Sequence, residues 1–336
     1  MTITINEIAR QAGVSKTTVS RVLNNKPDVK PETRAMIMNL ISQNGYQPNA
    51  FAKAISSRNS QTIGLIIPYD ANYIFSNSFY FEVIRGVSIE TTSRGYHLLF
   101  CYSNQENCVN IYKQKRVEGF IIISPGSIHK ELIHNLIQLK VPFVATSRVL
   151  GENQPRFIDV DNFTGATLAT EHLISLGHEK IGFMCGPDYL AASEARMEGF
   201  LTTLKKYNLP VRDSLIRRGD GTSESGYEQM QLLLKEDLTA VFVYCDSMAL
   251  GAVKAIKDRN LRIPSDISVV GFDDIPMAQF LEPSLTTIRQ PSYEKGVGAA
   301  SMLIDLVEGK EVPENKILPA NIVVRNSTEK LSLDKP

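Results

Sequence analysis

The spacing of hydrophobic positions changes near residue 60. Before that point, apolar residues recur every three or four positions and predict three short helices, the second within "VSKTTVSRVL", residues 14–23. Beyond it, short runs rich in β-branched and aromatic residues, such as "TIGLIIP" and "ISVVGFD", alternate with longer amphipathic stretches, such as "FEVIRGVSIETTSRG". Strands that alternate with helices predict parallel sheets covered by helices on both faces. The pattern therefore predicts a small helical part followed by a larger α/β part.

Local signals predict where the three helices of the first part begin. Thr4 and Glu7 form a capping box, Ser15 is placed to cap the second helix, and Pro31 suits the first position of the third. The turn "AGVS" between the first two helices is short and contains glycine, which is typical of a helix-turn-helix. The third helix is expected to face inward with Met36, Ile37, Leu40 and Ile41.

Charge is distributed unevenly along a chain whose net charge is zero. The first 60 residues hold eight basic and three acidic residues, and the remainder holds 28 basic and 33 acidic ones. A basic helix-turn-helix predicts DNA as the partner, with the second helix entering the major groove by its first turn. Lys16 and Thr17 lie in that turn, and Arg21, one turn later, can offer two donors to guanine. Short side chains suited to phosphate are Ser15, Thr18, Ser20 and Asn24. The alternative is a small helical bundle with a solvated polar face.

The head sequence resembles the DNA-binding head of the LacI/GalR family of repressors. The resemblance runs through "IARQAGVSKTTVSRVLN", the "TR" of the third helix and "GYQPN" with the alanine-rich segment after it. It implies a hinge helix at about residues 49–57 that forms on operator DNA and widens the minor groove. It also implies further DNA contacts by Tyr46, Asn49, Ala52 and Ile55. Ile55 stands where the family has a leucine that wedges into the central base step.

The rest of the chain resembles the regulatory core of the same family. The motifs include "LISLGHEKIGFMCGP", "DSMALGAVKAI" and "RIPSDISVVGFDDIPMAQFLEPSLTTIRQP". The resemblance implies a two-lobed α/β core like that of periplasmic binding proteins, with parallel sheets, three chain crossings and an effector cleft between the lobes. The implied divisions are a DNA-binding domain at 1–60 and an effector-binding and dimerisation core at 61–336, with lobe 1 at about 61–160 and 291–319 and lobe 2 at about 161–290 and 320–330.

The resemblance also implies which residues face the effector. Arg196 would grip sugar hydroxyls or a corepressor, and Asp273 would supply a carboxylate. The other positions carried over are Asn77, Phe79, Tyr80, Ser124, Arg148, Asp161, Cys245 and Gln290. Carboxylates, an arginine and aromatic rings suit a polyhydroxylated ligand, which needs paired hydrogen bonds at its edge and apolar contact on its face. Gly221 stands where some members have a ring, so we expect room there for a larger ligand such as a disaccharide.

Three of these positions have an alternative explanation from the residues alone. Asp161 could cap the helix that follows it, and Asp273 could cap the turn after its strand. Arg148 could pair with Asp159 or Glu152 on the surface. The local sequence leaves both explanations open at each position.

Other classes of protein find little support. There is no G-x-S-x-G elbow and no P-loop, and His172 and His178 lie six residues apart on different helix faces, so we expect no enzymatic activity, metal or cofactor. "GVGAAS" lies in a helical pattern and predicts close helix packing instead of dinucleotide binding. No signal peptide precedes the head, which argues against a periplasmic binding protein, and the apolar runs are only strand-length. We therefore expect a cytoplasmic, nucleoid-associated protein without a membrane partner.

These observations predict a ligand-responsive transcriptional repressor of carbohydrate-utilisation genes. One recognition helix spans only a half-site, so we expect a homodimer on a pseudo-palindromic operator. The effector is expected to be a small sugar or sugar phosphate in the interlobe cleft. The alternative is a catabolite-control regulator whose corepressor is a phosphorylated carrier protein. The sequence "VGAASMLIDLV" offers no basic residue for such a partner, which favours the sugar-responsive class.

Overall fold

The chain forms two compact units, Met1–Ser60 and Gln61–Pro336. The structure, a computed structural model, describes residues 3–23, 26–46, 60–67, 74, 77–102, 105–151 and 154–331. The predicted hinge helix at about 49–57 lies outside these residues. Each unit has a hydrophobic core of its own. The two units are therefore described separately.

The described residues of the first unit, the head, form a bundle of three helices. They are α1 (Ile5–Gln11), α2 (Lys16–Leu23) and α3 (Pro31–Gln43). The predicted capping box is confirmed, since Thr4 accepts from the Glu7 amide and the Glu7 side chain accepts from the Thr4 amide. The Ser15 hydroxyl accepts from the Thr18 amide at 3.1 Å and so caps α2. Gly13 turns the chain between α1 and α2 with φ +64°, a backbone conformation that glycine adopts without strain.

The core of the head is small and centres on Ile8, Val19 and Ile37. The prediction that Met36 faces inward is wrong, because 42% of it is exposed. Successive helical residues point about 100° apart, and α3 contacts its neighbours through a narrow face that Ile37 occupies. Leu40 and Ile41, one turn later, are half-buried against the same core.

The second unit contains two six-stranded sheets, each with helices on both faces. The first lobe holds β1 (Thr62–Ile67), α4 (Ser78–Ser93), β2 (His97–Tyr102), α5 (Gln105–Lys113), β3 (Gly119–Ile122), α6 (Lys130–Gln138), β4 (Phe143–Ala145) and β5 (Arg156–Val160). The second lobe holds α7 (Asn162–Ser175), β6 (Ile181–Cys185), α8 (Ala191–Lys206), β7 (Ile216–Arg218), α9 (Ser223–Leu233), β8 (Ala240–Val243), α10 (Asp246–Asp258), β9 (Ser268–Asp273) and β10 (Thr286–Arg289). The chain then adds α11 (Ser292–Val307) and β11 (Asn315–Leu318) to the first lobe and β12 (Asn321–Val323) to the second.

The strand order is β11-β5-β4-β3-β1-β2 in the first sheet and β12-β10-β9-β8-β6-β7 in the second. Every pair in the first sheet is parallel, and in the second sheet β12 runs antiparallel to β10. The strands are apolar in runs because both faces are covered: Leu65 packs into one core of the first lobe and Ile66 into the other. The predicted fold class, a helix-turn-helix head and a two-lobed parallel α/β core, is confirmed.

The chain passes between the lobes three times, after β5, after β10 and after β11. The strands that border these passages are β5 and β11 in the first sheet and β10 and β12 in the second. In each sheet the two strands lie together at one edge. The carboxyl ends of the parallel strands in both lobes therefore face the space between the lobes, where open α/β sheets bind ligands.

Glycines allow α4 and α11 to cross at close range. A Cβ atom on Gly86 would lie 2.1 Å from the carbonyl oxygen of Tyr293, and one on Gly296 would lie 2.1 Å from the carbonyl oxygen of Val83. Gly298 leaves the space that the side chain of Ile158 fills. The prediction that "GVGAAS" serves helix packing is therefore confirmed.

Replacing Gly296 with alanine should lower the free energy of unfolding by about 1–3 kcal/mol. The methyl group would press on the backbone of α4, and this cost exceeds the ~1 kcal/mol that alanine contributes to a helix. Urea denaturation measures the change. Ser88→Ala, at an exposed position of α4, is the control and should be nearly neutral. Equal stability of the two variants would contradict the proposed close crossing.

Candidate functional site

The exposed face of α2 carries the residues predicted to contact DNA. Ser15, Lys16, Thr17 and Arg21 are exposed, whereas Thr18 and Ser20 are half-buried. The Arg21 guanidinium lies 3.1 Å from the Asp28 carboxylate, and more than half of each side chain is exposed. An exposed pair of this kind contributes little to stability, so Arg21 can exchange it for a base edge at small cost.

The other predicted DNA contacts fall into two groups. Tyr46 is half-buried and packs against the core of the head, which places its ring beside the end of α3. Asn24, Asn49, Ala52 and Ile55 lie outside the described residues, and their DNA contacts stay predictions.

The carboxyl ends of the strands enclose a cavity of about 50 Å³ between the two lobes. It is lined by eight of the ten residues predicted to face the effector: Asn77, Phe79, Tyr80, Ser124, Arg196, Cys245, Asp273 and Gln290. It is also lined by Gly221, where we expected room for a larger ligand, and by residues that were not predicted, namely Ser147, Asp159, Asn162, Leu190, Ala191, Ala192, Tyr244 and Lys295. Phe79 packs against the cores of both lobes, so one aromatic ring spans the cleft.

Two residues of the cavity wall have left-handed backbone conformations. Ser124, just after β3, has φ +41°, and Asp273, the last residue of β9, has φ +128°. Such conformations are costly for residues other than glycine and persist where the surroundings impose them, often at functional sites. The cavity residue Asn77 caps α4, because its side chain accepts from the Phe79 amide at 3.0 Å. This cap fixes the start of the helix that carries Phe79 and Tyr80.

Arg196 is the most constrained cation of the cavity. Its guanidinium carbon lies 3.5 Å from the centre of the Phe272 ring and 4.6 Å from that of the Tyr244 ring. Its Nε donates to Asn162 Oδ1 at 2.9 Å, and one terminal nitrogen donates to the Tyr244 carbonyl. Arg196 is 4% exposed. The aromatic rings and the hydrogen bonds hold the Arg196 guanidinium in one orientation. The guanidinium can therefore bind a ligand without changing its conformation.

Asp273 supplies a buried carboxylate beside this arginine. Burial raises its pKa to about 6, although the positive charges of Arg196 and Lys295 and a hydrogen bond from Gln290 act in the opposite direction. Behind it, burial also raises the pKa of Asp246, whose carboxylate accepts from the Thr287 hydroxyl and the Ile275 amide. The side-chain oxygen of Gln290 is buried and has no hydrogen-bond partner among the described residues. A ligand hydroxyl would satisfy this acceptor.

Lys295 brings a second buried cation to the cavity, from α11 of the first lobe. Its ammonium lies 3.0 Å from the Asp159 carboxylate, and both side chains are almost fully buried. The ammonium also lies 5.6 Å from the centre of the Phe79 ring. Two basic and two acidic side chains thus line one small space: Arg196, Lys295, Asp159 and Asp273.

Two predicted residues lie outside the cavity wall. Asp161 caps α7, because its carboxylate accepts from the Thr164 amide at 2.9 Å and from the Thr164 hydroxyl at 2.7 Å. Arg148 is exposed, and its backbone amide donates to Asp159 at 3.1 Å. The explanation from local sequence, helix capping, accounts for Asp161. Neither residue lines the cavity of the closed cleft, and their contacts with an effector stay predictions.

Sequence reasoning missed Lys295, although a signal was present. The inward face of α11 carries Ser292, Gly296 and Ala299, which are all buried, and Lys295 lies within this face. A lysine among inward-facing positions of a helix requires a buried partner. Asp159 is such a partner, but it is remote in sequence and no local pattern identifies it.

The cavity is smaller than Gly221 led us to expect. A volume of about 50 Å³ holds a few water molecules, whereas pockets for small ligands measure hundreds of cubic ångströms. The lobes also touch directly, since the Ser127 amide donates to the Tyr189 carbonyl at 2.8 Å and the Tyr189 ring packs on Gly126. The cleft is therefore closed, and a small-molecule ligand larger than a few waters enters only when the lobes separate.

Neither metal binding nor membrane insertion is indicated by the residues that the structure describes. Within them, no group of three or more His, Cys, Asp and Glu side chains is arranged to hold a metal ion. No helix in the same part of the chain has the length and apolar character needed to cross a bilayer.

Comparisons with known proteins agree with this architecture. A sequence model for bacterial regulatory proteins of the lacI family matches residues 4–49, and one for a periplasmic binding protein-like domain matches residues 170–328. Catabolite control protein A of Priestia megaterium is 36% identical over 98% of this chain and 100% of its own length. ExuR of Bacillus subtilis (strain 168), a probable transcriptional repressor, is 34% identical over 98% of this chain and 99% of its own.

Solved structures show the same arrangement. The lac repressor dimer bound to operator and the anti-inducer ONPF is 29% identical and superimposes with a TM-score of 0.85, over 98% of this chain and 100% of that one. A complex of the transcriptional regulator CelR with cellobiose is 30% identical with a TM-score of 0.76, over 97% and 99% of the two chains. From its fold, its cleft and these full-length similarities, the chain belongs to the LacI family of bacterial regulatory proteins and is a DNA-binding transcriptional regulator.

Proposed function

We propose that this regulator represses carbohydrate-utilisation genes and that a sugar in the interlobe cleft controls its operator binding. The observation that carries the proposal is the cavity between the lobes, where a stacked arginine, buried carboxylates and the ring of Phe79 converge. Such a site satisfies hydroxyl groups by paired hydrogen bonds and covers the apolar face of a sugar ring. The CelR structure, whose cleft-bearing fold is similar, is a complex with the disaccharide cellobiose.

The closed cleft supplies a route from the effector to DNA. A ligand that touches both lobes favours one relative orientation of the lobes, and it changes operator affinity only by its difference in affinity for the two states. Residues 61–336 would form the effector-binding and dimerisation core, and residues 1–60 the DNA-binding domain. In this proposal the protein acts on the nucleoid in the cytoplasm.

The second lobe carries an apolar surface suited to a homodimer. Phe280 is 74% exposed and Met277 is 51% exposed, and both lie in the segment between β9 and β10. Large apolar side chains exposed side by side are typical of protein interfaces. A dimer would present two α2 helices to a pseudo-palindromic operator. The lac repressor, which has a similar structure, is bound to its operator as a dimer.

Selection of bound duplexes from a random DNA library by the full-length protein tests the proposal. We expect a palindromic sequence to be enriched. Arg21→Ala should relax the preference at one symmetric base pair and cost about 1–3 kcal/mol per half-site, because arginine reads guanine with two hydrogen bonds. Binding titrations on selected and scrambled duplexes measure the effect.

Two controls complete this experiment. Ser20→Ala should weaken binding to all sequences alike, as a phosphate contact does. Arg10→Ala removes an exposed arginine from α1 and should leave the preferred sequence unchanged. If Arg21→Ala lowered affinity equally for selected and scrambled DNA, base recognition by Arg21 would be refuted. Failure to enrich any palindrome would contradict the proposed function.

A second candidate is regulation by a phosphorylated carrier protein. The 36% identity with catabolite control protein A favours it. Against it, the buried Lys295 is occupied inside the cleft and is not available to a protein partner on the surface of α11. A pull-down with the phosphorylated and unphosphorylated carrier protein separates the two candidates.

A further inference from the structure

The ammonium of Lys295 is held inside the cavity by an acid that has other partners. Among the described residues, Asp159 is the one carboxylate within ion-pair distance of Lys295. The Asp159 carboxylate also accepts from the backbone amides of Val160 at 2.8 Å and Arg148 at 3.1 Å. These amides already stabilise the carboxylate. The pair therefore fixes the position of Lys295 without using all three of its N–H groups.

A chain of polar contacts connects this lysine to Arg196 across the lobes. Asp159, at the end of the first lobe, accepts from the Asn162 side-chain amide at 3.4 Å. The oxygen of the same amide accepts from Nε of Arg196 at 2.9 Å. Lys295 and Arg196 are therefore the two ends of one buried network, and both line the cavity. The network sets the position of each cation relative to the other.

Both cations keep donors that the described contacts in this part of the chain leave unused. Lysine has three N–H groups, and the described contacts of Lys295 occupy one. Arginine has five, and the described contacts of Arg196 account for Nε and one terminal nitrogen. A buried ammonium without full hydrogen bonding carries a large desolvation cost. A neutral sugar does not require a second cation, because amides and hydroxyl side chains can also pair with its hydroxyl groups.

We propose that the effector is a sugar acid whose carboxylate binds between Lys295 and Arg196. This inference rests on the proposed function, since it names the chemical class of the ligand of the same cleft. A carboxylate has two acceptor oxygens, one for each cation, and charge-assisted hydrogen bonds of this kind are the stronger ones. Asp273 and Gln290 are left to bind the hydroxyl groups of the ring.

The charge balance of the cavity favours a singly charged anion over a more highly charged one. Lys295 and Arg196 balance Asp159 and Asp273, so the empty site is neutral when all four groups are ionised. A carboxylate adds one negative charge, whereas a phosphate ester adds between one and two. Burying the second charge without a further cation is unfavourable. We therefore expect carboxylates to bind more tightly than phosphate esters of the same sugars.

Calorimetric titration of the full-length protein with matched ligands tests the inference. Each sugar acid is compared with its neutral parent: D-galacturonate with D-galactose, and D-glucuronate with D-glucose. The phosphate esters D-galactose 6-phosphate and D-glucose 6-phosphate are titrated for comparison. At least one acid should bind about tenfold or more tightly than its neutral parent, as expected for a hydrogen-bonded charged group. Lys295→Met keeps most of the length of the side chain, removes its charge and should reduce this preference about tenfold. Lys295→Arg, which keeps the charge, should retain part of it.

The outcomes separate this inference from the function on which it rests. Neutral sugars that bind as tightly as their acids would overturn the inference and leave the sugar-responsive function in place. Phosphate esters that bind more tightly than the acids would also overturn it. If no compound of the set bound or changed operator affinity, both the inference and the proposed effector class would fail. The wild-type ratio of acid to neutral affinity is decisive even if Lys295→Met folds poorly.

Discussion

Arg196→Ala should abolish the response of operator binding to the effector. The substitution removes a guanidinium that two aromatic rings and two hydrogen bonds hold in the cavity wall. Loss of the guanidinium should weaken effector binding by about tenfold or more. DNA binding by residues 1–60 does not use this side chain, so basal operator affinity should stay near that of the wild type. Operator titrations with and without the effector measure both quantities.

A matched arginine elsewhere in the second lobe controls for loss of charge. Arg212 is exposed, and Arg212→Ala should respond to the effector like the wild type. Arg196→Lys distinguishes charge from geometry, because an ammonium cannot reproduce the planar fork or its stacking between Phe272 and Tyr244. If Arg196→Ala still responded fully, the effector would have to bind somewhere other than this cavity.

Asp159→Ala should produce a large loss of stability, about 3–5 kcal/mol in the free energy of unfolding. It would leave the Lys295 ammonium buried without a counter-ion and the amides of Arg148 and Val160 without their acceptor. Chemical denaturation measures the loss. The double variant Asp159→Ala with Lys295→Met should recover part of it, because the uncompensated charge is then absent.

An exposed ion pair provides the comparison for this prediction. Lys180 and Asp237 form such a pair on the surface of the second lobe. Asp237→Ala should cost less than about 1 kcal/mol, since solvent screens the interaction. A loss for Asp159→Ala no greater than that for Asp237→Ala would show that the buried pair does not stabilise the cleft.

The sequence predicted the fold where local patterns carry the information. The capping box at Thr4, the cap at Ser15 and the apolar runs of the central strands depend on neighbouring residues, and each forms as expected. β5, β7, β10, β11 and β12 were not singled out, because they are short strands of mixed polar and apolar residues at or next to the edges of their sheets. Their place is determined by partners far along the chain, as when Asn315 pairs in register with Phe157.

The candidate site was predictable where a residue could be matched to its family position. Arg196 and Asp273 were placed in this way, and both line the cavity. Lys295 could not be predicted in this way. Its role depends on Asp159, which lies 136 positions earlier in the chain, and on burial that no local pattern shows. Asp161 shows the opposite case, because its position is explained by its local role as a helix cap.

The three passages of the chain between the lobes have a consequence for how the protein is made. The first sheet needs β11 to cover β5, and its helical layer needs α11, yet both are translated after the whole second lobe up to β10. A nascent chain that ends near residue 290 therefore displays the apolar surface that Ala299 and Leu303 later bury. Neither lobe reaches its final packing before the last strands leave the ribosome, so the lobes should mature together as one cooperative unit.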